Sequence, residues 1–141
     1  MARIKLTIPT DFSFSTQIPV RITDLNYGNH LGNDAVLSIL HEARMQYLKS
    51  LNYTELAFAG VGLIMSDVAI EFKAEAFYGD ILTAYVTTKD ISRVGFDLYY
   101  KVVKSENEEV VAIAKTGMIC FDYEKRKVTS LPKEAADKLG K

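Results

Sequence analysis

Residues 21–51, RITDLNYGNHLGNDAVLSILHEARMQYLKSL, decide the fold. The first third is a loop of small and polar residues carrying Asp24, Asn26, Asn29, His30 and Asn33. The remainder reads as one helix. Val36, Ile39, Leu40, Ala43, Tyr47 and Leu51 recur at three- and four-residue spacing and form a continuous apolar stripe, which Leu37, Met45 and Leu48 widen. Asn33 or Asp34 is the expected N-cap, and the helix runs to about Leu51. A helix this apolar is expected to be covered on more than one side. Both histidines of the chain, His30 and His41, fall in this stretch. A polar loop feeding the N-terminus of a buried helix brings hydrogen-bond donors and the helix dipole together, which suits a carbonyl oxygen that gains charge during reaction.

Working outward, residues 1–12 read as a loosely held lead-in, with Ile4 and Leu6 in a short edge strand. A strand follows over 14–22, where Phe12, Phe14, Ile18 and Val20 alternate. Pro19 cannot donate to a ladder and places that strand at an edge or bulge. Past the helix, residues 54–59 suggest a short extra turn. The period then switches to two, giving strands over 63–76, 81–91, 96–104 and 110–122, joined by turns at 77–80, 92–95 and 105–108. Another turn at 123–127 and a short helix over 132–139, with proline near its first position, complete the chain. One long helix against a five- to six-stranded antiparallel sheet is an α+β architecture, expected to be a single domain spanning 1–141. The helix takes one face of the sheet and leaves one over. Sheets of this kind associate through edges or faces, so a symmetric oligomer is expected.

Composition bounds the function. The chain has 141 residues, 48% apolar and 25% charged, with a net charge of −1 and no clustering of Lys and Arg. That is an ordinary globular composition without the basic face a phosphate backbone requires, so nucleic acid is not the expected partner. One cysteine, Cys120, excludes an intramolecular disulfide framework and a cysteine-based zinc site and fits a reducing compartment. No run has membrane-spanning or signal-peptide character, so the expected location is cytoplasmic, with no membrane partner.

The loop and helix, Asp24-Leu25-Asn26-Tyr27-Gly28-Asn29-His30-Leu31-Gly32-Asn33 followed by His41-Glu42-Ala43-Arg44, resemble a motif of the hotdog fold. It is the D-x-D-x-x-G-H-V-N-N segment, and helix ending E-A-R, of the 4-hydroxybenzoyl-CoA thioesterase-like acyl-CoA and acyl-carrier-protein thioesterases. Gly60-Val61-Gly62, the strand Val68 to Phe72, Tyr78-Gly79-Asp80 and Val94-Gly95-Phe96 follow in the same order, so the resemblance covers roughly residues 15–122. It implies a hotdog fold, hydrolysis of an acyl thioester of coenzyme A or acyl carrier protein, and a homodimer or homotetramer with sites between protomers. It implies no metal and no cofactor beyond the coenzyme A of the substrate. The chain departs from the motif at Asn26, where the resemblance places an aspartate that supplies the catalytic carboxylate. An amide cannot serve as nucleophile or base, although it can orient water or bond a thioester oxygen.

The candidate site residues follow. An imidazole exchanges protons near neutral pH, so His30 is a candidate to activate water or protonate a leaving thiolate; a loop histidine bonded to backbone is the plain alternative. With Asn26 an amide, the carboxylate role passes to Asp24 or Glu42. Asp24 equally suits a turn hydrogen bond, and Glu42 a buried pair with Arg44, Arg21 or a backbone donor. Asn33 matters for its backbone: free N–H groups at a helix start can polarise a thioester oxygen. His41 is read as structural. Tyr27 either lines an acyl pocket or covers the helix, and Gly28 and Gly32 allow close approach or a turn. Ile64 and Met65 are expected to face a neighbour's loop, and Ser92 and Arg93 to contact the phosphates of coenzyme A, with Lys73 more simply a solvated charge. Two other functions fit the same layout. One is a hotdog enoyl-CoA hydratase or dehydratase, from the partial likeness of Asp24-x-Asn26 and His30 to D-x-N-P-x-H. The other is a non-catalytic acyl-CoA binder, suggested by Asn26.

Overall fold

The structure is a computed structural model and describes residues 1–140; Lys141, within the expected domain span, lies outside the described residues. In chain order come β1 (Phe14–Pro19), a 3-10 turn (Ile22–Asp24), α1 (Asn33–Ser50), β2 (Gly62–Phe72), β3 (Ile81–Lys89), β4 (Gly95–Lys104), β5 (Val110–Asp122), β6 (Lys127–Val128) and α2 (Lys133–Leu139). The strands form one antiparallel sheet in the order β1-β3-β4-β5-β2, and β6 pairs with β5.

Alternation sets the two faces of the sheet. Leu82, Ala84 and Val86 of β3, Phe96, Leu98, Tyr100 and Val102 of β4, and Ala112, Ala114, Met118 and Cys120 of β5 are buried on the side of α1. They meet Val36, Ile39, Leu40, Ala43, Tyr47 and Leu48 of the helix in one hydrophobic cluster. The small residues at 84, 112 and 114 make room for the helix. Each fully buried leucine of its stripe contributes about 1.5–3 kcal/mol. At Ser66 the β2–β5 register shifts: Met65 opposes Met118, and Asp67 opposes Gly117. The bulge puts both Met65 and Val68 on the α1 side.

The observed elements correct several expectations at their ends. Gly32 takes the N-cap position of α1, ahead of Asn33 and Asp34. β1 stops at Pro19 because the chain turns into the 3-10 segment, and β2 stops at Phe72, where Lys73 and Ala74 both donate to Val111 O. Residues 54–59 do turn, with Thr54 N–H donating to Ala57 O at 3.2 Å, and the two-residue β6 was not anticipated. Residues 1–12 form no strand. They cross the sheet face opposite α1, with the Leu6 N–H donating to Glu71 at 2.7 Å and the Phe12 ring 5.9 Å from that of Tyr85. The face expected to be left over is therefore partly covered. The helix, in turn, is buried on one broad face, and Leu37 stays exposed.

Candidate active site

The loop between the 3-10 turn and α1 is pinned by its own backbone. Leu25 bridges Leu31, Asn26 N–H donates to His30 O at 2.9 Å, and Asn29 N–H donates to Asn26 O at 3.0 Å. Asn29 adopts a left-handed φ of 63°, which asparagine tolerates better than most residues. Leu31 N–H donates to Ala76 O at 2.8 Å, tying the loop to the chain just past β2.

This closure gathers Asn26, His30 and the helix start. Asn26 Oδ1 accepts the Gly28 N–H at 2.9 Å. A Cβ on Gly28 would stand 3.3 Å from both Asn26 Oδ1 and His30 Nε2, so the two side chains flank that glycine. His30 Nδ1 lies 3.3 Å from Leu31 O. A carbonyl only accepts, so the neutral ring carries its proton on Nδ1 and keeps the Nε2 lone pair. Nε2 is 3.9 Å from Glu75 Oε1. His30, Asn33, Val36, Phe72, Lys73 and Glu75 line a groove of about 260 Å³.

At the start of α1, Val36 N–H donates to Gly32 O at 3.2 Å, and no side chain caps the helix. Among the described residues the amides of Asn33, Asp34 and Ala35 have no acceptor. Three free N–H groups at the positive end of a helix dipole form a receptor for an oxyanion.

The two carboxylates considered for catalysis lie elsewhere. Asp24 is buried and accepts from Arg21 three times: from N–H at 2.8 Å, Nε at 3.3 Å and Nη2 at 3.2 Å. Burial alone would raise its pKa, but the bonds and charge of Arg21 outweigh it and hold the carboxyl below its ordinary value. Glu42 is exposed rather than buried, and bonds Gln46 Nε2 at 2.8 Å instead of an arginine. Arg44 pairs with Glu55 instead. Asp24 and Glu42 share a second groove, about 310 Å³, with Arg21, Ser38 and Gln46 beside β1. Glu42 lies about half a turn around the helix from Asn33.

The remaining candidates are dispersed. Tyr27 is fully exposed in this chain and does not cover the helix. Ile64 and Met65 point to opposite faces of the sheet, Met65 towards α1. Ser92 and Arg93 precede β4, whose start opposes Ile119, whereas the Asn26–Asn33 loop lies by Ala76 and Val111 at the other end of β5. Within one chain they do not reach the loop. His41 stands 2.8 Å from Glu55 Oε1. Glu75 was missed by sequence reasoning. Its approach to His30 depends on the Leu31–Ala76 bond, a long-range pairing with no local signature.

A hotdog sheet wrapped on one helix, with uncapped amides at the end of a loop that carries an amide side chain and a histidine, defines a class. The chain belongs to the thioesterase-like superfamily, whose model matches residues 20–139, and the reaction of that family is thioester hydrolysis. It is similar to the long-chain acyl-CoA thioesterase FadM of Escherichia coli, with 26% identity over 125 residues, covering 88% of this chain and 95% of that protein. The acyl-CoA thioesterase YbgC of Haemophilus influenzae is 24% identical over 127 residues, covering 88% and 92%. Among solved structures, the 1,4-dihydroxy-2-naphthoyl-CoA thioesterase of Synechocystis superposes with a TM-score of 0.83 at 23% identity, over 90% of this chain and 95% of that one.

Proposed function

We propose that the protein is an acyl-CoA thioesterase, acting on acyl carrier protein thioesters as the second carrier class. The observation that carries this reading is the row of free amides at Asn33, Asp34 and Ala35 beside Asn26 and His30. The thioester oxygen sits on those amides. Asn26 orients a water molecule, and His30 Nε2 takes one of its protons as the water oxygen bonds to the carbonyl carbon. The C–S bond then breaks, and the same proton passes from His30 to the departing thiolate, leaving acid and thiol. Asp24 holds the loop through Arg21, and Glu75 stabilises the imidazolium. No metal or further cofactor takes part. Glu42 has a catalytic role only if assembly brings it to another protomer's loop.

The unpaired outer edge of β2, with Met65 and Val68 exposed beside it, supports a homo-oligomer, with a homodimer through that edge as its smallest form. The single buried cysteine supports a cytoplasmic location. The amide at Asn26 favours one other reading, a binder that releases nothing. Product analysis separates these: free acid with an equivalent of thiol supports hydrolysis, whereas an intact thioester with bound ligand supports the binder. A hydroxyacyl thioester formed from an enoyl-CoA would overturn both in favour of a hydratase.

A further inference from the structure

The flank of α1 facing β2 carries a feature that thioester hydrolysis does not require. Asn33, Leu37, Leu40 and Arg44 lie within a narrow stripe of the helix surface. Along β2, Phe72, Val68 and Met65 face the same side of the sheet, since they oppose Ala112, Thr116 and Met118 of β5. Leu37, Met65, Val68 and Phe72 are exposed apolar side chains in this chain. Together they line the path from the groove of His30, Asn33 and Phe72 along the helix flank. Further along lies a separate cavity of about 240 Å³ lined by Leu37, Ser38, His41, Arg44, Met65 and Thr116.

The path is apolar and its far end is not. Arg44 is only 6% exposed. Its Nη1 donates to Tyr100 Oη at 3.3 Å, Tyr100 Oη and Thr116 Oγ1 are 2.8 Å apart, and Arg44 Nε faces Glu55 Oε1 with no other partner. Glu55, 3.5 Å from Arg44 Nε, balances the guanidinium charge. A neutral hydroxyl therefore suits this end better than a second carboxylate, because Thr116 Oγ1 keeps acceptor capacity beyond its bond with Tyr100 that a methyl group would leave unused.

We propose that Arg44 and Thr116 are specificity-determining residues that select an acyl chain bearing a hydroxyl at its far end. This deepens the thioesterase reading and rests on it. Length follows from the helix: Arg44 stands about 16 Å along the axis from Asn33, and its side chain leans back towards the N-terminus. A carbonyl at the Asn33 amide then places the hydroxyl at Arg44 for an extended chain of about eight to ten carbons, each C–C bond of about 1.5 Å advancing slightly less than its length.

The test compares decanoyl-CoA with its ω-hydroxy counterpart as substrates for the intact protein, reading the ratio of the two kcat/KM values. A ratio cancels the fraction of correctly folded enzyme, so a poorly folding variant cannot mimic the effect. Wild type is expected to favour the ω-hydroxy chain by about tenfold or more, as sites built to bond a hydroxyl do. Thr116→Val, nearly isosteric, and Arg44→Lys, which keeps the charge, are each expected to bring the ratio within about threefold of unity, with the loss mostly in KM. Equal or better hydrolysis of decanoyl-CoA by wild type, or an unchanged ratio in both variants, overturns this inference and leaves the thioesterase reading standing. Absence of thiol release from these and from every short, long and aromatic acyl-CoA overturns that reading, and this inference with it.

Discussion

Replacing Asn33 by proline removes one amide from the start of α1 and little else. Asn33 is the first helical residue, where proline is well accommodated because its missing N–H has no partner within the helix. Gly32, just before it, has φ −75° and ψ 152°, the extended conformation that a following proline requires. The Asn33 N–H bonds nothing among the described residues, so folding loses no hydrogen bond. Stability should change by less than about 1 kcal/mol. Catalysis should not be spared. Loss of one oxyanion donor typically removes about 3 kcal/mol of transition-state stabilisation, so kcat should fall by about two orders of magnitude, with little change in KM. Asn33→Ala, which keeps the N–H and loses the side chain, is the control and should retain most activity. The assay is steady-state thiol release, with urea denaturation on the same preparations. Unchanged kcat in a folded Asn33→Pro protein, or an equal loss in Asn33→Ala, would refute the role given to the helix amide.

Other expectations follow from the same geometry. Gly95→Ala should destabilise by about 3 kcal/mol in urea melts, because a Cβ there would lie 2.1 Å from Met118 O across the β4–β5 pairing; a loss below about 1 kcal/mol would contradict that close approach. Asp24→Asn should cost about 2 kcal/mol at pH 7 by opposing an amide to the Arg21 donors. The Asp24 carboxyl is held below its ordinary value, so its stabilisation is complete above about pH 4 and is lost as pH falls through the lower folded value. The gap between wild type and variant should therefore narrow in melts at low pH, and a gap independent of pH would count against the Arg21 contact. Burial pushes the Cys120 thiol up to about 11. Native protein should resist a disulfide reagent at pH 8 and react fully once unfolded, and rapid native labelling would show that the strand is open.

What the sequence discloses here tracks the range of the interactions involved. The stripe of α1 and the alternation of β3, β4 and β5 are local, period-driven signals, and they suffice to fix helix, strands and the face of each. Sequence reasoning also singled out Asn26, His30 and Asn33, which lie within eight positions of one another and are drawn together by the loop's own turns. Where contact depends on distant pairing, the sequence is silent. Glu75 meets His30 because Leu31 bonds Ala76, and residues 1–12 lie flat because Leu6 finds Glu71. Glu42 is instructive in the opposite sense. Its position in an apolar helix suggested burial, but it falls on the flank towards β1 and remains in solvent beside Gln46. Periodicity tells which side of a helix is buried, not where that side ends.

Asn26 carries the strongest tension between chemistry and fold, and one measurement addresses it: thiol release from a panel of short, long and aromatic acyl-CoAs, by wild type and Asn26→Asp side by side. The substitution keeps the acceptor that bonds Gly28 and exchanges only the amide nitrogen for oxygen. Wild type should turn over, with His30 as base, and kcat should be about a hundredfold higher in Asn26→Asp, where a carboxylate joins it. Complete inactivity of wild type on every thioester, with or without a gain in Asn26→Asp, would contradict the thioesterase reading.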